Sequence, residues 1–133
     1  MKVYQYKARA YFSDTDAGGI VYHTHYLDWA EHARTEMLRE LLPQLKQSNL
    51  KDSGFLFVVK SINIEYFSPA VLDDEITVLT SVEELGVFSG ILKQRVMRGE
   101  ELLAKIVIKV AFISKETKRI QKLPEEVKTV LSL

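Results

Sequence analysis

One segment of thirteen residues combines side chains that could do chemistry. Residues 14–26 read Asp-Thr-Asp-Ala-Gly-Gly-Ile-Val-Tyr-His-Thr-His-Tyr and hold two carboxylates, two glycines and two of the three histidines in the chain. A carboxylate can act as a general base or as a nucleophile. Glycine allows the backbone to approach a ligand closely. The segment therefore suits acyl transfer to water, although an acidic, glycine-containing turn that only caps a helix would look the same.

A long helix is predicted directly after this segment. Apolar residues recur at spacings of three and four from near Thr24 to Leu42, and Pro43 ends the pattern. The N-terminus of a helix offers free backbone N–H groups and a partial positive charge, so it can stabilise a developing oxyanion. The reactive segment is therefore placed where such donors are available.

Five strands are predicted around this helix from alternating polar and apolar residues. In the first strand, residues 2–12, one face carries Tyr4, Tyr6, Ala8, Ala10 and Phe12. The other four strands are Phe55–Phe67 (with Ile62, Ile64 and Tyr66 buried), Glu75–Glu84, Val87–Arg98 and Leu102–Ile113. Residues 44–54 read as a loop, and Leu123–Val127 favours a short helical turn. One helix covering a sheet with short turns between its last three strands predicts an α+β domain with antiparallel neighbours.

Composition narrows the classes of function. The 133 residues fit a single domain spanning 1–133, and 18 basic against 18 acidic residues give no net charge, so nucleic-acid binding is not expected. The absence of cysteine excludes disulfides, thiolate metal sites and a cysteine nucleophile. Neither a signal peptide nor a transmembrane segment is recognisable. We therefore expect a soluble, cytoplasmic protein.

The histidines raise the alternative of a metal site. His23 and His25 lie at the start of the predicted helix, where side chains two residues apart diverge. No spacing typical of zinc ligands is present. We expect no metal site, and we expect Asp14 to structure the loop and His32 to lie on the helix surface or at a dimer contact.

The segment Tyr11–His23 closely resembles the active-site segment of the Tol–Pal-associated acyl-CoA thioesterases, a branch of the 4-hydroxybenzoyl-CoA thioesterase class of hotdog proteins. The resemblance continues through Tyr26-Leu27, Glu31–Glu36, Ile64–Ala70 and Leu72–Asp74, and weakly through the last strand and Leu123-Pro124. It implies a hotdog fold, in which a five-stranded antiparallel sheet wraps around one long central helix. It also implies a homodimer, often a homotetramer, that hydrolyses acyl-CoA in lipid metabolism without a cofactor, CoA being part of the substrate.

Two catalytic residues follow from the resemblance, position by position. Asp16 matches the catalytic carboxylate, and His23 matches the helix-start residue whose backbone N–H polarises the thioester carbonyl. In this branch the residue is itself histidine and is implicated in activity. Whether Asp16 activates water as a general base or attacks the thioester as a nucleophile stays open. Relatives often carry asparagine or another small polar residue at His25 and some carry tyrosine at Phe12, so the substrate preference also stays open.

Substrate contacts are expected on the loop and on two strands. The predicted binding residues are Gly19, Val21, Tyr22, Ser61, Asn63 and Ser89. Ser61 and Asn63 would reach the cleft from a partner subunit, or else face solvent or the dimer seam. A solvated face is likewise the alternative for Ser89 and for Lys93, Arg95 and Arg98, which could meet CoA phosphates.

Apolar residues on the second face of the sheet favour a dimer. They are Val59, Phe67, Leu79, Leu92, Val107, Ala111 and Ile113.

The alternatives in function are hydrolysis of acyl groups from acyl carrier protein or of an aromatic acyl-CoA, and a non-catalytic hotdog module that binds acyl thioesters or acts as a scaffold. A hydratase or dehydratase is not expected, since the loop lacks the Asp–His pattern of that group.

Overall fold

Five strands and one long helix make up most of the chain in the computed structural model, which describes residues 2–41, 43 and 54–132. The strands are β1 (Val3–Arg9), β2 (Phe55–Tyr66), β3 (Glu75–Leu85), β4 (Ser89–Arg98) and β5 (Glu101–Ser114). The helices are α1 (His25–Leu41) and α2 (Glu125–Leu131), and a 3-10 turn covers Phe12–Asp14. No helix in the described ranges is long and apolar enough to cross a membrane.

The strands form one antiparallel sheet in the order β1-β3-β4-β5-β2. Tight turns join β3 to β4 and β4 to β5, so these three strands are neighbours, as predicted. β1 and β2 are the two edges of the sheet. The α+β class and the five-stranded antiparallel sheet with one long helix are confirmed.

One face of α1 packs on the sheet because its apolar residues recur every three or four positions. The buried residues on this face are Tyr26, Trp29, Ala30, Ala33, Met37 and Leu41. They meet fully buried residues of the central strands, among them Ile76, Val78, Val96, Ile106 and Ile108. The helix lies mainly over β1, β3 and β4.

A buried polar contact fixes the middle of the helix. Gln94 is fully buried on β4, and its Nε2 donates to the backbone carbonyl of Ala30 at 2.8 Å and to Thr80 Oγ1 at 3.0 Å. Arg34 donates to Gln94 Oε1 at 2.9 Å. Burial lowers the pKa of the Arg34 guanidinium, while nearby Glu31 opposes this shift. Because a buried amide needs its partners, this network sets how far α1 can slide along the sheet.

Three residues differ from the burial predicted for them. β1 ends at Arg9, and Phe12 lies in the 3-10 turn with 81% of its surface exposed. Ile62 and Tyr66 lie on the core side of β2, opposite Ile108 and Ala104, yet are 42% and 44% exposed. These two are open because β2 is an edge strand that α1, lying mainly over β1, β3 and β4, covers only in part.

Two residues assigned to the second face lie on the core face instead. A bulge between Val59 and Ser61 shifts the alternation of β2, so Val59 pairs with the buried Val110. Leu92 lies opposite Val82 and Ile108 and is 5% exposed. The pattern around Leu92 was misleading because its core-facing neighbour on β4 is the polar Gln94.

Element ends agree within a few residues. The helix predicted from Thr24 to Leu42 is observed from His25 to Leu41, and Leu42 lies outside the described residues. The strand predicted from Val87 begins at Ser89. The predicted loop at 44–54 lies outside the described residues except for Gly54.

Candidate active site

A tight turn between β1 and α1 holds the first candidate catalytic residue. Thr15 and Val21 form an antiparallel bridge that closes it. Within the turn, the backbone N–H of Asp16 donates to the backbone carbonyl of Ile20 at 2.9 Å, and the N–H of Gly19 donates to the backbone carbonyl of Asp16 at 3.1 Å. Gly19 has a φ of +79°, a conformation that favours glycine. Asp16 therefore lies at the base of a backbone-defined turn.

The Asp16 carboxylate is held through one oxygen only. Its Oδ1 accepts the backbone N–H of Gly18 at 2.8 Å. A Cβ at position 18 would lie 3.3 Å from this oxygen, so glycine there leaves the carboxylate room. Within the described part of the chain, Asp16 Oδ2 has no hydrogen-bond partner, and the residue is exposed. One oxygen therefore sets the orientation while the other can act on a water molecule or on a substrate.

Backbone donors are available at the start of α1. The first helical residue, His25, donates its backbone N–H to Tyr22 at 2.9 Å. The N–H groups of His23 and Thr24 have no acceptor among residues 2–41, 43 and 54–132. They lie at the positive end of the helix dipole, where a developing negative charge is stabilised.

Asp14 structures the loop, as predicted. Its Oδ2 accepts the backbone N–H of Tyr11 at 2.8 Å, and its Oδ1 forms a hydrogen bond of 2.8 Å with His25 Nδ1. Its backbone carbonyl accepts the N–H of Tyr22 at 2.9 Å. The loop is thus tied to the first turn of α1, and His25 is its anchor on the helix.

The imidazole of His23 lies among aromatic rings. Its centroid is 4.5 Å from that of Tyr22 and 6.4 Å from that of Tyr66, which it meets at 85°. The Tyr66 hydroxyl donates to the His23 carbonyl at 2.7 Å. Sequence reasoning missed this contact because nothing in the sequence pairs the end of β2 with a residue 43 positions earlier.

A mainly apolar pocket of about 300 Å³ opens beside His23. The loop, α1 and the end of β2 contribute its walls, which include Ile20, Val21, His23, Tyr66, Phe67 and Pro69. An apolar cleft with a few polar groups at one end is the usual form of a small-molecule site. The backbone donors at the helix start lie next to this cleft, so it can accept an acyl group.

The other predicted site residues fall into two groups. Gly19, Val21 and Tyr22 lie on the same loop as Asp16; Val21 is buried at the pocket and Tyr22 is half-exposed. Ser61, Asn63 and Ser89 lie on the face of the sheet turned away from the core, since their pairing partners alternate with buried ones. A single chain does not bring this second group to Asp16.

Three cations proposed for CoA phosphates also differ from one another. Lys93 and Arg95 lie on the outer sheet face, opposite Val107 and Lys105. Arg98 is engaged, because its guanidinium binds Asp74 and Glu101 and donates to the carbonyl of Pro69. No three His, Asp or Glu side chains converge as metal ligands in the described ranges.

A five-stranded antiparallel sheet in this order, packed on one long helix, is the architecture expected of a hotdog protein. The chain belongs to the thioesterase-like superfamily, whose sequence model matches residues 11–131. It is 40% identical to the acyl-CoA thioesterase YbgC of Haemophilus influenzae, over 94% of this chain and 91% of that protein.

Solved structures agree with this family. A hypothetical protein from Aquifex aeolicus superposes with a TM-score of 0.84 at 33% identity, covering 96% of this chain and 98% of that one. A gentisyl-coenzyme A thioesterase superposes with a TM-score of 0.82 at 26% identity, with the same coverage of 96% and 98%. The predicted family, the hotdog fold and the thioester-hydrolase class are thereby confirmed.

Proposed function

We propose that the protein hydrolyses acyl-CoA to a free carboxylic acid and CoA, with Asp16 and the start of α1 as its catalytic groups and with no metal or bound cofactor. The observation that carries this proposal is a half-anchored carboxylate on the loop that leads into α1, together with backbone N–H groups at the helix start that have no acceptor in the described ranges. Relatives named acyl-CoA thioesterase support it.

The proposed reaction needs few groups. The thioester carbonyl oxygen accepts the backbone N–H of His23, which stabilises the negative charge that develops as the carbon becomes tetrahedral. Asp16 either removes a proton from the attacking water or attacks the carbonyl itself to form a mixed anhydride that water then hydrolyses. A thiol has a pKa of about 8.5, so CoA leaves as a thiolate with little help from an acid.

The pocket supports an apolar or aromatic acyl group. Its walls are mainly aliphatic and aromatic, and Gly19, Val21 and Tyr22 lie on the loop beside it. An aromatic acyl-CoA is a second candidate substrate because a gentisyl-coenzyme A thioesterase shares the fold at 26% identity. Acyl groups carried by acyl carrier protein stay an alternative from the sequence alone.

We further propose that the active unit is a homodimer or a tetramer of two dimers. Eight of the large apolar or aromatic side chains that one chain exposes lie on the loop before α1 or on residues 66–72 at and after the end of β2: Tyr11, Phe12, Ile20, Tyr22, Tyr66, Phe67, Val71 and Leu72. Exposed patches of this kind mark interaction surfaces. A second copy would cover them, and Ser61, Asn63 and Ser89 of the partner subunit would then be candidates to line the cleft.

We propose that the enzyme acts in the cytoplasm. The absence of cysteine, and so of disulfides, supports this because it fits a reducing compartment. The link to the Tol–Pal envelope proteins and to lipid metabolism, implied by the resemblance, stays a prediction.

A thiol-release assay tests the proposal directly. Purified protein is incubated with short-chain, long-chain and aromatic acyl-CoA thioesters, and free CoA is measured. We expect turnover well above spontaneous hydrolysis with at least one of them. Tight binding of acyl-CoA without any release of CoA would instead favour a non-catalytic acyl-CoA-binding module.

A further inference from the structure

Two tyrosines meet behind the candidate oxyanion donors. The rings of Tyr26, on α1, and Tyr66, at the end of β2, lie 5.2 Å apart and nearly perpendicular, at 83°. This edge-to-face arrangement is favourable and orients both rings. Each hydroxyl then binds the backbone of a segment that walls the pocket, so the pair connects the helix start to the segment after β2.

Tyr26 anchors the segment that follows β2, at the wall of the pocket. It is 2% exposed, and its hydroxyl accepts the backbone N–H of Ala70 at 2.8 Å. The carbonyl of Ala70 in turn accepts the N–H of Val21 at 2.9 Å. The Ala70 residue is therefore held between the catalytic loop and the first turn of α1.

Tyr66 holds His23, the residue just before the first turn of α1. Its hydroxyl donates to the carbonyl of His23 at 2.7 Å, and its ring stands edge-on against the His23 imidazole. Tyr66 itself is fixed in the sheet, opposite Ala104 of β5. Fixing the His23 carbonyl restricts the ψ angle of that residue, and with it the direction of the next N–H, that of Thr24.

The donor is preserved over a wide pH range. Burial raises the pKa of the Tyr66 phenol above its ordinary value, and nearby Tyr26 adds to this shift. A phenol that keeps its proton continues to donate. The contact therefore persists at the pH values at which a thioesterase works.

We propose that Tyr66 is a positioning residue for thioester hydrolysis, because its hydroxyl fixes the His23 carbonyl and so aims the N–H of Thr24, which serves as a second oxyanion donor next to the N–H of His23. This inference rests on the proposed function. Tyr66 does not need to touch the substrate. Its effect belongs to the transition state, in which the donors must already point at the oxygen that gains charge.

The variant Tyr66→Phe tests this role because it removes only the hydroxyl. We expect kcat to fall by about tenfold, which is less than the roughly hundredfold cost of losing a donor because the N–H groups remain present, and KM to change by less than about twofold. The matched control is Tyr6→Phe on β1, whose ring packs near His32 and whose hydroxyl has no hydrogen-bond partner within the described ranges. The control should keep both constants within about twofold of the wild type.

Amide hydrogen exchange separates positioning from general loss of stability. Exchange at the hydrogen-bonded amides of His25 and Leu27 should accelerate in Tyr66→Phe and not in Tyr6→Phe, while exchange in the central strands stays unchanged. A wild-type kcat in Tyr66→Phe, or a loss of activity matched by faster exchange throughout the sheet, would overturn the positioning role. Absence of turnover by the wild-type protein with every acyl-CoA would instead overturn the proposed function.

Discussion

The two edges of the sheet are built differently. β1 has seven residues and lies under α1, and at its end Lys7 and Arg9 form ion pairs with Glu75. β2 has twelve residues and exposes four large apolar or aromatic side chains, Val58, Val59, Ile62 and Tyr66, where β1 exposes only Val3. Short, charged edges resist further strand pairing, and long apolar ones invite it.

This difference shows which part of the fold a single chain completes. The β1 edge is finished, because its core side is buried and its outer side is charged. The β2 edge is not, and the candidate site lies at the end of β2 beside His23. The proposed catalytic loop thus lies where the proposed second chain would add surface, which would connect assembly to activity.

The largest difference between the two edges is expected when a charge is placed on the β2 edge. Ile62→Glu places a carboxylate on the core side of β2, where pairing with a second chain would bury it without a partner. We expect the dimer to be lost in sedimentation at micromolar concentration. Turnover should fall on the order of a hundredfold, because too little of the assembled form is left.

The matched control uses the finished edge. Val3 on β1 is 44% exposed, almost the same as Ile62, but it lies on the outer face of its edge strand, so Val3→Glu adds the same charge at an equal exposure on the edge that one chain completes. It should leave assembly and turnover near those of the wild type. A fully active Ile62→Glu monomer, or equal damage by both variants, would remove the distinction between the two edges.

A smaller effect is expected at His23. His23→Ala deletes the imidazole and leaves the backbone N–H, so the proposed oxyanion donor is still present. Turnover should fall by about tenfold, less than on removal of the Asp16 charge. If His23→Ala proves more damaging than Asp16→Asn while the melting temperature is normal, the imidazole carries the main chemistry and the proposed ranking is wrong.

The smallest effect is expected in the stability contributed by Glu101, at the start of β5. A hydrogen bond from Arg98, followed by one from Ser68, holds the pKa of Glu101 below its ordinary value. Its stabilisation is therefore present above pH values near the ordinary pKa and is lost as the pH falls through the lowered pKa. Glu101→Gln should lower Tm slightly at pH 7, and the difference should vanish in acid. A difference that persists at pH values below the lowered pKa of Glu101 would contradict this assignment.

Much of the fold follows from the sequence because apolar residues recur at regular spacings in the helix and in the strands. Apolar spacing identified α1, and alternation identified all five strands. The errors lie where a local pattern meets a tertiary constraint. Phe12 continued the alternation of β1, but the chain had already turned at Arg9. Val59 was placed on the wrong face because an added bulge residue leaves no mark in the composition of the strand.

The candidate site was predictable in part. Asp14 and Asp16 could be separated by role, because only Asp16 matches a catalytic position, and the structure finds Asp14 engaged on both oxygens. The contact of Tyr66 with His23 could not be predicted, because it joins two elements through sheet topology. The exposure of Ile62 depends on which strand lies at the edge, and no pattern within one strand reports that.

One measurement tests the central claim most directly: the release of CoA thiol by the wild type, by Asp16→Asn and by Asp28→Asn. Asp28 is an exposed carboxylate in the first turn of α1, so its variant removes the same charge near the same helix start. Asp16→Asn should lose turnover by about a hundredfold or more, since an amide is neither base nor nucleophile, whereas Asp28→Asn should stay near the wild type. Wild-type turnover by Asp16→Asn, with unchanged melting temperature and assembly, would contradict the account.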